Sequence, residues 1–187
     1  MARQETRQHI LNTAGSLFYE NGYNLIGINE IIEKANIAKA TLYNHFSSKE
    51  DLCLAYLNQK DTELLEDLAE FTSRIPEGNE RIVGILLFLE DFFNSDQFHG
   101  CWCIRTHAEV SHNEKITQQI KTNKSKFREL ITSIVKDNMK SSSDQIVNNT
   151  ATSVYFLYEG AVMESFLQND VWPIQHSIKI CKQLLRK

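Results

Sequence analysis

The sequence predicts an all-α chain of about nine helices. Three observations carry this. Apolar residues recur at helical spacing along almost all of the 187 residues. No segment of any length alternates with period two, as a half-buried strand would. Only 7 Gly and 2 Pro punctuate the chain, too few for the many turns of an all-β sandwich.

Each helix has its own signal. Ile10, Leu11, Ala14, Leu17 and Phe18 line one face of a first helix that ends near Gly22. Ile28, Ile31, Ile32 and Ala35 mark a short second helix, and a third of barely two turns covers about Lys39 to His45. Ser47 to Glu50 spells a capping box, S-x-x-E, at the head of a long helix carrying Leu52, Leu54, Ala55, Leu57, Leu64, Leu65 and Leu68. Past "RIPEGN", Ile82, Ile85, Leu86, Leu89, Phe92 and Phe93 define another. A short helix is expected from Trp102 to Ser111. Ile116, Ile120, Phe127, Leu130, Ile131 and Ile134 define a long one. Ser142 and Gln145 cap a further helix running to about Leu167, and Pro173 suits the first position of the last.

Composition excludes several classes. Hydrophobic residues at 42% and charged residues at 24% are ordinary for a folded globular chain. No apolar run approaches the roughly 18 residues of a membrane span, and "MARQETRQ" lacks a signal peptide's apolar segment, so a cytoplasmic protein with no membrane partner is expected. The four cysteines are scattered without disulfide-scaffold density, and Cys53 and Cys181 read as small core residues. There is no G-x-S-x-G, no P-loop and no H-E-x-x-H, so neither an enzyme nor a cofactor is expected. Cys103 and His107 at i, i+4 could share a helix face, but two ligands fall short of a metal site, and none is expected.

The segment "AKATLYNHFSSKE", Ala38 to Glu50, concentrates polar and basic residues. Between Lys34 and Lys49 there are three lysines and no acid, although the net charge of the chain is −4. Helix 28–35, the break "NIA" and the short helix 39–45 have helix-turn-helix geometry, whose second helix enters the DNA major groove. Asn36 occupies the turn position that needs a left-handed backbone, which Asn tolerates. Ile37 and Leu42 are the apolar pegs, leaving Lys39, Ala40, Tyr43 and Asn44 outward. Lys39 suits guanine O6 or N7, Ala40 a thymine methyl and Asn44 an adenine edge. Thr41, Tyr43, His45 and Lys49 suit phosphate oxygens. A solvated face with one packed aromatic fits the same residues.

The longer string "ILNTAGSLFYENGYNLIGINEIIEKANIAKATLYNHFSSKEDL" resembles the TetR family of bacterial transcription regulators. The resemblance implies DNA contacts from Asn29, Lys39, Ala40, Thr41, Tyr43, Asn44, His45 and Lys49. It also implies a helix-turn-helix domain over 1–47 and a ligand-binding and dimerisation domain over 48–187. Gly27 and Ala38 stand where the family usually has capping residues, and the loss of one cap typically costs about 1 kcal/mol. The implied partners are double-stranded operator DNA, a second copy of the chain and an unknown small-molecule effector. Repression is the family's usual mode.

Beyond residue 52 only the architecture is shared. "VYFLYEGAVMESF" has apolar residues at five consecutive positions, 154–158, so its helix needs cover on at least two sides. A four-helix dimer interface through Val154, Leu157, Ala161, Ile178, Cys181 and Leu185 answers that need, and so does one continuous monomer core. Phe88, Phe92, Trp102, His107, Phe127, Tyr155, Tyr158 and Glu159 suit a pocket lining of apolar residues with a few placed polar groups, and equally an ordinary core. Glu159 is the first candidate for a buried polar anchor. An alternative regulator would sense redox state or a metal through Cys101, Cys103 and His107.

Overall fold

The computed structural model describes residues 2–95 and 98–186. Among them every regular element is an α-helix, nine in chain order. They are α1 (Ala2–Asn21), α2 (Ile28–Lys34), α3 (Lys39–His45), α4 (Lys49–Ser73), α5 (Asn79–Phe93), α6 (Trp102–Val110), α7 (Glu114–Asn138), α8 (Asp144–Gln168) and α9 (Trp172–Leu184). The chain divides into two compact units, Met1–Asp61 with Trp102–Asn123, and Thr62–Cys101 with Lys124–Lys187. Helices α4 and α7 contribute residues to both.

In the first unit, Ile10, Ala14, Ile31, Leu42, Leu52, Leu57 and Ile116 are fully buried. The apolar stripe of α1 supplies two of these, whereas α3 supplies only Leu42, so one side chain carries most of its anchorage. A Cβ on Gly15 would come within 3.0 Å of the Tyr56 ring, and without one that ring lies close to α1. Tyr56 also meets Phe18 edge-on at 5.8 Å. Gly22 ends α1 with φ +91°, a conformation that glycine adopts without strain. A Cβ there would also collide with the Glu109 carboxylate.

That carboxylate, on α6, accepts from the backbone N–H of Tyr23 at 3.2 Å and of Asn24 at 2.6 Å. One turn earlier, the Arg105 guanidinium donates to the Tyr19 carbonyl at 2.5 Å. The Arg105 bond answers a carbonyl that the C-terminal end of α1 leaves unpaired.

The second unit is built on α5, α8 and α9, which pack on one another. Ile82, Ile85, Leu86, Leu89, Phe127, Ile131, Val154, Ile174 and Cys181 fill its interior. The cap of α8 falls one residue later than the sequence suggests. Ser143, not Ser142, accepts from the Ile146 N–H. Pro173 stands second in α9, behind Trp172, where its missing N–H is equally harmless. No helix among the described residues is long and apolar enough to cross a membrane.

Candidate nucleic-acid interface

Helix α2 ends in a Schellman turn. The N–H of Asn36 donates to the Glu33 carbonyl at 3.1 Å and that of Ile37 to Ile32 at 3.1 Å. Asn36 itself is left-handed, with φ +51°, as the helix-turn-helix reading requires. The chain is thereby turned sharply into α3. Nothing caps the start of α3, since Ala38 has no side chain to accept the free N–H groups, and Gly27 likewise leaves α2 uncapped. At the other end, Phe46 is buried and its N–H closes on the Leu42 carbonyl at 2.9 Å.

With Leu42 fully buried, the opposite face of α3 is open. Lys39, Ala40, Tyr43 and Asn44 are exposed, Thr41 and His45 are half-buried, and Asn29 is exposed on α2. Ile37, the second expected peg, is half-buried. The Lys49 ammonium lies over the Tyr23 ring, 4.1 Å from its centroid. Burial lowers the Lys49 pKa, and it raises that of Tyr23 to about 12, so the phenol stays neutral beneath the cation. Stacking holds the lysine at the head of α4 and limits its search for a partner.

The capping box at α4 is displaced by one residue. Ser48, not Ser47, accepts from the N–H of Asp51 at 3.0 Å, and the Ser47 hydroxyl donates to the Asp51 carboxylate. Glu50 is thus free for another role. It accepts from the Asn113 amide at 2.6 Å and from Lys115 at 3.0 Å, tying the head of α4 to the head of α7. These two donors hold the Glu50 carboxyl below its usual pKa.

The eight residues considered for a ligand pocket fall into three sets. In the second unit, Phe127 meets Tyr158 at 4.8 Å and Tyr155 at 6.1 Å, and Glu159 pairs with Lys124 at 2.6 Å with both side chains about four-fifths buried. Phe88 and Phe92 instead line a groove of about 410 Å³ with Phe71 and a rim of Asp67, Glu70, Arg74, Asp91 and Ser95. Trp102 and His107 belong to the first unit, where Trp102 meets the Tyr19 ring at 6.0 Å and His107 lies 3.4 Å from the Thr117 hydroxyl. Sequence reasoning passed over Lys124. Its signal was position, because Ile120, Lys124, Phe127 and Ile131 follow one stripe of α7 on which the lysine is the single charge. Of the residues considered for a dimer contact, Val154, Ala161, Ile178 and Cys181 are buried within the chain, and Leu157 and Leu185 are half-buried. Among the described residues no group of three or more His, Cys, Asp or Glu is placed to hold a metal.

A helix-turn-helix whose second helix is held by one buried leucine, with its polar face open, defines a DNA-binding regulator. Residues 10–56 match the family of bacterial regulatory proteins called tetR. FasR of Mycolicibacterium smegmatis, a transcriptional activator, is 30% identical over 96 residues, which span 51% of this chain and 44% of FasR. The Bacillus subtilis regulator YxaF is 24% identical over 193 residues, covering 100% of this chain and 98% of its own. The reduced form of Escherichia coli NemR superposes with a TM-score of 0.85 at 21% identity, over 96% of this chain and 97% of that one. The family match thus covers the helix-turn-helix segment, and the relatives that extend beyond it are named as transcription regulators.

Proposed function

We propose that this regulator is a cytoplasmic homodimeric repressor, with residues 1–47 binding operator DNA and 48–187 binding a small apolar or aromatic effector that releases it. One observation supports the DNA reading above all: the open face of α3 carries Lys39, Tyr43 and Asn44 with no acid between Lys34 and Lys49. In this reading Lys39, Ala40 and Asn44 meet base edges, while Asn29, Thr41, Tyr43, His45 and Lys49 meet phosphates. NemR, a repressor by name, supports the mode. The effector would rest against the Phe127, Tyr155 and Tyr158 rings, with the Lys124–Glu159 pair as its polar contact. Helix α4 has residues in both units and is the element through which the effector would act on α3.

Footprinting on the DNA flanking the gene tests this reading. A palindromic or near-palindromic protected site is expected, because a two-fold dimer presents its recognition helices about 34–36 Å apart or a multiple of that. Lys39→Ala should relax preference at one base position at a cost of roughly 1–3 kcal/mol, whereas Thr41→Ala should weaken specific and unrelated duplexes alike. A uniform loss with Lys39→Ala would show that it reads no base.

A second reading rests on a separate contact. The Lys124 ammonium, paired with Glu159, also lies 3.3 Å from the sulfur of the buried Cys101. A redox-responsive regulator would use that cysteine, with Cys103 and His107 as the other candidates. If Cys101→Ser combined with Cys103→Ser leaves every response unchanged, this reading is excluded.

A further inference from the structure

Beside the last turn of α3 lies an open concavity of about 640 Å³, lined by Arg3, Gln4, Arg7 and Gln8 of α1 and by Asn44 and His45 of α3. Every lining residue is polar, two carry permanent positive charge, and none is a carboxylate. Through Asp51 the chain has five Lys or Arg against six Asp or Glu, so the convergence of two of those five on one hollow is a local concentration. Arg3 and Arg7 stand at i, i+4, where like charges destabilise an isolated helix. A counter-anion arriving between them would reverse that cost.

Arg7 is also set in place. Its guanidinium stacks on the Phe46 ring, 4.7 Å from the centroid, and Phe46 is the buried residue that ends α3. Gln8, which also lines the hollow, donates to the Asn12 amide oxygen at 2.7 Å and to that of Gln59 at 3.0 Å. A guanidinium fixed in direction binds phosphate oxygens with less loss of freedom than a lysine does. The volume lies within the range of pockets that hold small ligand groups.

We infer that this hollow takes a backbone phosphate of the DNA strand bordering the groove that α3 enters, making Arg3 and Arg7 of α1 part of the DNA-binding surface. The inference rests on the reading of the chain as a DNA-binding regulator. The duplex is the occupant because Asn44 and His45 belong both to the hollow and to the recognition helix, so a strand seated against α3 continues across it. Contacts of this kind position the protein and carry no sequence information.

The test measures how affinity falls with salt, for the duplex protected in footprinting and for an unrelated duplex of equal length, using the full-length chain. Each phosphate contact removed should lower the slope of log affinity against log salt by about 0.9. Arg3→Ala and Arg7→Ala are each expected to do so on both duplexes, and the double variant to lose about twice as much. Arg7→Ala also strips the Phe46 ring, so Arg3→Ala, whose side chain is exposed, is the cleaner variant when its thermal midpoint is unchanged.

An unchanged slope with Arg3→Ala, in a wild type that binds DNA, would overturn the assignment alone. A shift in preference at one base pair would also overturn it, as base reading by an arginine. Inorganic phosphate that binds at the same place with DNA already bound would make the hollow a free-anion site and overturn it too. If the wild-type chain binds no duplex, the regulator reading fails and takes this inference with it.

Discussion

Ala38 begins α3 with nothing to accept its first free N–H groups, on a helix of seven residues held by one buried leucine. Restoring the cap should therefore be felt. Ala38→Ser is expected to stabilise the chain by about 1 kcal/mol in thermal unfolding. It should also tighten DNA binding, since less order is then imposed on contact. Tighter folding without tighter binding would mean that α3 is already fully ordered in the free protein. Glu50 offers a second test at this scale. Its folded carboxyl titrates below its unfolded value, so its contribution to stability is complete above the ordinary carboxylate range and is lost as pH falls through the lowered value. Glu50→Gln should be less stable than wild type at pH 7 and indistinguishable from it near pH 2. Neither donor to Glu50 could be read from the sequence, because Asn113 and Lys115 stand more than sixty residues away. Asn36 was legible, since a left-handed residue between two short helices has few candidates.

At the level of elements, periodicity located the long helices, because each buries a stripe spaced at 3.6 residues, whereas α3, with Leu42 alone buried, was placed by the helix-turn-helix reading. The caps slipped by one where serines adjoin. Ser47 and Ser48, like Ser142 and Ser143, offer identical chemistry, and only the backbone's departure from the helix chooses between them. Helix α8 shows a harder limit. Five apolar neighbours at 154–158 demanded two covered sides, and the sequence alone could not say which residues faced which way. Val154, Ala161 and Val162 face the interior, while Phe156, Met163 and Leu167 remain exposed at 66%, 39% and 75%. With Gly160 among them, these exposed residues follow i, i+4, i+7 and i+11, a single stripe of apolar surface. We propose this stripe, together with Ile180 of α9, as the face that meets a second copy. Phe156→Glu with Leu167→Glu should give a folded monomer in equilibrium sedimentation. Val154→Asp should instead unfold the chain, since it buries a charge. A dimer unaffected by the first pair would move the interface elsewhere.

For the molecule as a whole, the sign of the coupling between DNA and effector follows from linkage. If an effector lowers DNA affinity by some factor, saturating DNA must lower effector affinity by the same factor, typically 5- to 150-fold. A compound found by screening should therefore titrate more weakly in a calorimeter when the footprinted duplex is present. Equal affinities would show that it does not act through the DNA-binding unit. Which compound to expect was the least legible feature of the sequence. A pocket lining and an ordinary core draw on the same Phe, Tyr and Trp, and the eight candidates proved to stand in three separate settings.

The Glu109 carboxylate gives the loop after α1 a property that loops rarely have. The amides of Tyr23 and Asn24 lie outside any helix, yet both donate to one side chain of α6. They should resist exchange with deuterated solvent for as long as α6 stays seated, and lose that protection together when it shifts. Glu109→Gln, with one acceptor oxygen in place of two, should release one of the pair. These two amides are thus a built-in reporter of the position of α6, readable by mass spectrometry with no label attached.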